Sequence, residues 1–262
     1  MTEPPLRRFR ARLAATALLL LAVWEVTVLV SARRAEPSAE DWRAVAAAIP
    51  AAPLDDRLIL FAPRWLDPVG RLWLGDRISV DQAARMDAVR YREVWEVSIR
   101  GASAPEVAGT PAVSEQGFGP ILVRRFVREA PAVTWRLTEG ARICEVDFEP
   151  RRGVLLDLQN RFDQGQRLFR QVDLGDQLQV YAGLADYKRR SDNRSRALIQ
   201  TMVDGREVAR GFAGNDDGWV ALPMATTPRG AHDVEIVARV VDPHGPVNLS
   251  VCVAAEARAR RP

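Results

Sequence analysis

The chain has 262 residues, 47% of them hydrophobic and 27% charged, the proportions of a folded globular protein rather than a disordered one. Its formal charge is +3 and its pI about 9.3, but part of that basic excess sits in an amino-terminal arm and an Arg-rich tail. The body between is close to neutral, which argues against a nucleic-acid partner.

Arg7, Arg8, Arg10 and Arg12 precede an apolar run from Leu13 to Ala32. A basic flank ahead of such a run stays on the cytoplasmic side, so everything after Arg34 is expected outside the cytoplasm. The stretch Leu13 to Trp24 is short enough for a cleaved signal peptide, and Val30-Ser31-Ala32 offers small residues for processing. Taken whole, however, residues 13–32 have the length of about 20 that a spanning helix needs. Glu25 opposes insertion by about 2.5–3.5 kcal/mol, which roughly nine Leu or Val residues at about 0.3–0.6 kcal/mol each would offset. The expectation is an uncleaved single-span anchor behind a cytoplasmic arm at 1–12, in a bacterial inner membrane. Glu25 would either meet a partner inside the bilayer or lie at the outer interface.

Ser38 to Ile49 reads as a capped helix, with Glu40 and Asp41 in its first turn and Trp42, Val45, Ala46 and Ile49 on one face. Pro50 and Pro53 end it. Residues 57–61 form an apolar strand, Ser79 caps a second helix running to Tyr91, and residues 94–99 form a second strand. Strand, helix, strand predicts a βαβ-like unit within a small α/β domain at 36–116. Residues 101–120, rich in Gly and Pro, read as a linker. Beyond it, short strands begin at Ile121 and recur at even spacing, with a two-residue hairpin signal at Asp204-Gly205. That pattern predicts an antiparallel, jelly-roll-like β-sandwich at 117–258. The overall class is α+β.

Familiar catalytic patterns are absent. His232 and His244 have no second ligand at metal spacing, and there is no Gly-rich phosphate loop, nucleophile elbow or Cys-x-x-Cys. No cofactor and no metal are expected. Two places hold candidate chemistry. The segment 64–76 carries Trp65, Asp67, Trp73 and Asp76 after the end of the first strand, where α/β sheets bind ligands. Asp67 and Asp76 would there be the acid and base of a glycan-acting enzyme; otherwise the segment is a structured loop with surface ion pairs. In the sandwich, Asp186, Tyr187 and Asn193 in one loop and Asp217 and Trp219 in another combine an aromatic platform with planar polar groups, as sugar recognition requires. The Asp-rich loop also suits calcium, or ordinary turn chemistry with Trp219 in the core. Cys144 and Cys252, each in an apparent strand, are either a disulfide or two buried thiols.

Asp41-Trp42-Arg43-Ala44-Val45, Phe61-Ala62-Pro63 and Tyr91-Arg92-Glu93-Val94-Trp95-Glu96-Val97 resemble extracytoplasmic portions of bacterial dolichyl-phosphate-mannose mannosyltransferase-like membrane glycosyltransferases, over residues 38–100. The chain lacks their many spans and acidic first-loop site. Residues 203–208 and Asn215 to Trp219 are similar to galactose-binding-like β-sandwiches. Together these resemblances imply a non-catalytic accessory or carbohydrate-binding protein of envelope glycan assembly, with a glycan or a membrane glycosyltransferase as partner.

Overall fold

A computed structural model of the protein describes residues 16–29, 36–51, 56–82, 85–159, 164–185, 195–241 and 249–259. The chain divides into two compact units, one of residues 1–51, 60–73 and 96–125, the other of residues 52–59, 74–95 and 126–262.

In the first unit, helix α1 covers residues 16–29, and its leucines and valines are exposed. Among the described residues no helix is long and apolar enough to cross a membrane; residues 13–15 and 30–32 of the expected span lie outside them. Helix α2 (Ala39–Ala48) begins as its sequence predicts. The Asp41 amide donates to Ser38 Oγ at 3.1 Å, and the Ser38 amide donates back to Asp41 Oδ2 at 2.8 Å. This reciprocal capping box satisfies two amides that the first turn otherwise orphans. Hydrogen bonds from Ser38 hold the Asp41 carboxyl below the ordinary carboxylate range. Trp42, Val45 and Ile49 are buried on the expected face.

Strands β1 (Arg57–Ala62), β2 (Glu93–Ile99), β3 (Ser114–Phe118) and β4 (Ile121–Val127) form one sheet in the order β1-β2-β4-β3. The Glu93 amide donates to the Asp56 carbonyl, so β1 and β2 start side by side and run the same way. The Arg128 amide donates to the Arg92 carbonyl, so β4 runs against β2, and β3 is antiparallel to β4. The expected linker therefore contains a strand, and Ile121–Val127 belongs to this mixed sheet, not to the sandwich. A tight turn at Gly119 (φ 55°) makes the β3–β4 hairpin, and a Cβ there would strike the Asp41 carboxylate.

Two helical expectations are corrected. The segment read as a loop is a 3-10 turn (Arg64–Leu66) followed by helix α3 (Asp67–Leu74). The helix expected from Ser79 is instead two 3-10 stretches, Val80–Gln82 and Arg85–Arg90, the second broken at Asp87 (φ −143°, ψ 68°).

The second unit is dominated by the sandwich. Strands β5 (Ala132–Arg136), β6 (Arg142–Val146), β7 (Glu149–Leu158), β8 (Gln164–Leu174), β9 (Gln177–Leu184), β10 (Arg196–Val203), β11 (Arg206–Ala213), β12 (Val220–Ala221), β13 (Ala225–Thr226), β14 (Gly230–Val241) and β15 (Leu249–Ala259) build two antiparallel sheets. One is ordered β11-β10-β14-β8. The other is ordered β12-β9-β15-β7-β6, with β5 on β15 and β13 on β9. The chain crosses from sheet to sheet at most connections; the local exceptions include β6–β7 and β10–β11, the latter turning on Asp204 (φ 48°) and Gly205 (φ 76°). Two successive positive φ values match the hairpin turn that Asp-Gly favours.

Strand periodicity places the core. Val180, Ala182 and Leu184 of β9, Val154, Leu156 and Leu158 of β7, and Val251, Val253, Ala255 and Ala257 of β15 face Ala197, Ile199 and Val203 of β10 and Val234, Ile236, Ala238 and Val240 of β14. β8 adds Phe169, Val172 and Leu174 to this core.

Candidate functional site

The residues singled out from the sequence separate in the structure. Asp67 opens helix α3 and is held by Arg71 one turn on, whose Nε donates to Asp67 Oδ2 at 2.5 Å. That is an i,i+4 helix pair; the side chain of Asp76 lies outside the described ones. Trp65 is exposed beside the Arg100 guanidinium (6.0 Å), and Trp73, half-buried, lies beside Arg43 (6.0 Å). Asp186, Tyr187 and Asn193 lie outside the described residues. Trp219 is a core residue. It is 7% exposed, packs with Tyr181, Val146 and Ala254, and donates Nε1–H to the Glu149 carbonyl at 2.9 Å. Asp217 closes a turn by accepting the Gly214 amide at 2.8 Å. The sugar platform expected on Trp219 is therefore corrected: its indole face is covered. Among the described residues no group of three or more acidic, His or Cys side chains is placed to hold a metal ion.

Two other places carry the polar chemistry. The first is the outer face of the β11-β10-β14-β8 sheet. Directly paired residues in antiparallel strands project to one face, so the registers define three rows. Phe212, Leu198, Arg239 and Gln164 form one; Arg210, Gln200, Val237 and Gln166 the next; Glu207, Met202, Glu235 and Leu168 the third. At standard strand spacing and rise these rows cover about 14 by 13 Å. Phe212 is 43% exposed, with the Arg196 guanidinium 4.7 Å from its ring centroid. Arg210 Nε donates to Glu207 Oε1 at 2.5 Å, and Gln200 Nε2 donates to Glu207 Oε2. Those bonds, then the charges of Arg210 and Arg239, hold the Glu207 carboxyl below its ordinary range. The face thus presents an aromatic ring among oriented guanidinium, amide and carboxylate groups.

The second is the outer face of the other sheet, which is buried. Glu256 and Arg258 follow Cys252 and Ala254 at every second position of β15 and are 2% and 1% exposed. Arg90 Nη1 lies 2.8 Å from Glu256 Oε2, Arg258 Nε donates to Glu256 Oε1 at 2.7 Å, and Arg136 stands opposite Glu256 in register. Asp87 pairs with Arg258 and accepts from Tyr181 Oη at 2.6 Å. Asp87 is also where the second 3-10 stretch breaks. Burial lowers Arg258 to about 10 and pushes the Tyr181 phenol up. This network is a clamp, not an open site. Its only sequence signal is two charged residues alternating with small apolar ones at the end of an otherwise hydrophobic strand.

No family model and no curated protein matches the sequence. The fold is similar to several solved structures. One holds the CBM51-2 and INT domains of Clostridium perfringens ZmpB, at 11% identity and TM-score 0.33, covering 63% of this chain and 32% of that one. Another is CsCBM6-3 of Clostridium stercorarium in complex with cellobiose, at 10% identity and TM-score 0.28, covering 49% and 88%. A third is the CBM36-1 domain of a xylanase from a Trinervitermes trinervoides hindgut metagenome, at 8% identity and TM-score 0.28, covering 50% and 97%. This chain spans about a third of the first of these structures. Likenesses this slight carry no argument about ligand or function.

Proposed function

We propose that the protein is a non-catalytic, membrane-anchored glycan-binding protein on the extracytoplasmic side of a bacterial inner membrane, serving envelope polysaccharide assembly. The observation that supports it is the open face of the β11-β10-β14-β8 sheet. A sugar ring offers an apolar face of axial C–H groups and a rim of hydroxyls. Phe212 answers the first, and Glu207, Arg210, Gln200, Arg239, Gln164 and Gln166 answer the second. The anchor and the export of the body rest on the Arg-flanked apolar segment at 13–32.

The test is calorimetric titration of the full chain in detergent with a panel of bacterial envelope polysaccharides. The wild type should bind a member of the panel, and Phe212→Ala and Glu207→Gln should each weaken binding about tenfold, equivalent to about 1.4 kcal/mol. A flat response across the panel, or undiminished affinity in both variants, overturns the reading. Protease protection in spheroplasts checks the topology: the body should be digested from outside.

A further inference from the structure

Cys144 on β6 and Cys252 on β15 are both buried thiols. Their strands are not neighbours. The first half of β7 pairs with β6, from Glu149↔Val146 to Gly153↔Arg142, and its second half pairs with β15, from Val154↔Val253 to Leu158↔Leu249. The exchange of partners at Gly153 and Val154 lets β6 reach the outer face of β15. There Cys144 and Cys252 share one packed cluster with Val146, Tyr181 and Ala254, and both line a cavity of about 230 Å³ beside Arg142 and Leu155. Cys144 Sγ–H points at the Val154 carbonyl, 3.9 Å away.

We propose that Cys144 and Cys252 are a redox pair that closes to an intramolecular disulfide on meeting a low-molecular-weight disulfide. In the first step one Cys thiolate attacks the small disulfide, forming a mixed disulfide and expelling one small thiolate. In the second, the other Cys thiolate attacks the protein-bound sulfur and expels the second. The protein loses two electrons and two protons, and the donor is reduced to two thiols. The hydrogen bond with Cys252, opposed by burial and then aided by the charge of Arg142, draws the Cys144 thiol below its usual range, which favours the attacking thiolate. The bond would strap β6 directly to β15, two strands otherwise joined through β7, and would close a loop of about 110 residues. An exported body is where such a bond would persist.

The test is refolding of the full chain from urea in a mixture of reduced and oxidised glutathione, so that burial does not limit access. Iodoacetamide quenching in urea, intact mass and peptide mapping then follow. The expected product lacks both alkyl groups and carries a Cys144–Cys252 cross-linked peptide. Its melting temperature should fall on adding dithiothreitol, while that of Cys144→Ser should not move. Two alkylated cysteines, or glutathione retained on either one, overturn the proposal. In a second arm the folded chain meets oxidised glutathione alone and is quenched and mapped identically. The cross-linked peptide again supports the pair, and two alkylated cysteines or retained glutathione again overturn it.

Discussion

Replacing Glu256 by Gln removes the central counter-charge of the clamp on β15 while keeping the side chain's shape. The carboxylate takes Arg90 on Oε2 and Arg258 on Oε1, with Arg136 opposite, and it and the first two arginines are all under 7% exposed. Asp87 remains for Arg258. Breaking a buried ion pair from one side costs about 3–5 kcal/mol, because the orphaned charge keeps its desolvation penalty without its partner. At about 2–4 °C per kcal/mol for a chain of this size, the melting temperature should fall by about 6–20 °C. Glu207→Gln supplies the internal control. Glu207 pairs with an exposed Arg210, and surface pairs contribute far less than buried ones. Thermal unfolding followed by far-UV circular dichroism, with urea titration for the free energy, measures both variants side by side. If Glu256→Gln loses no more than Glu207→Gln, the clamp is solvated and the reasoning fails.

Two further outcomes follow from the same geometry. Trp219→Ala should destabilise by about 3–5 kcal/mol, the cost of emptying a packed aromatic site, yet leave glycan affinity of the folded fraction unchanged; selective loss of binding would return Trp219 to the ligand. The third concerns His232, whose Nδ1 lies 2.7 Å from Asp204 Oδ2. That hydrogen bond raises the imidazole above its ordinary 6.5 and lowers the Asp204 carboxyl below 3.8. The imidazolium's stabilisation is full below 6.5 and is lost as pH rises through the raised value; that of the carboxylate is lost as pH falls through the depressed one. The pair therefore supports the β10–β11 hairpin between those two limits. An NMR titration of the His232 ring should show a midpoint above 6.5 that Asp204→Asn abolishes, and an equal midpoint in both proteins would refute the contact.

Local signals were legible wherever a few neighbouring residues settle the structure. Ser38 and Asp41 cap α2 because both partners lie within one turn, and Asp204-Gly205 turns the β10–β11 hairpin because those residues tolerate positive φ. Short strands at even spacing, separated by turn residues, marked an antiparallel sandwich, since each strand buries one face in a common core. Tertiary structure decided what depends on distant partners. Residues 79–91 have helical spacing, but they form two 3-10 stretches, and the second breaks at Asp87, whose carboxylate meets Arg258 and Tyr181 far along the chain. Ile121–Val127 looked like any sandwich strand, and only its pairing with β2 and β3 assigns it to the first sheet. Trp219 and Asp217 had the composition of a sugar site, but burial and a turn hydrogen bond occupy them. The open face that replaces them draws Gln164, Gln200, Glu207 and Arg239 from four strands. Composition names such residues, but only register, set by the packing of the whole sandwich, makes them neighbours.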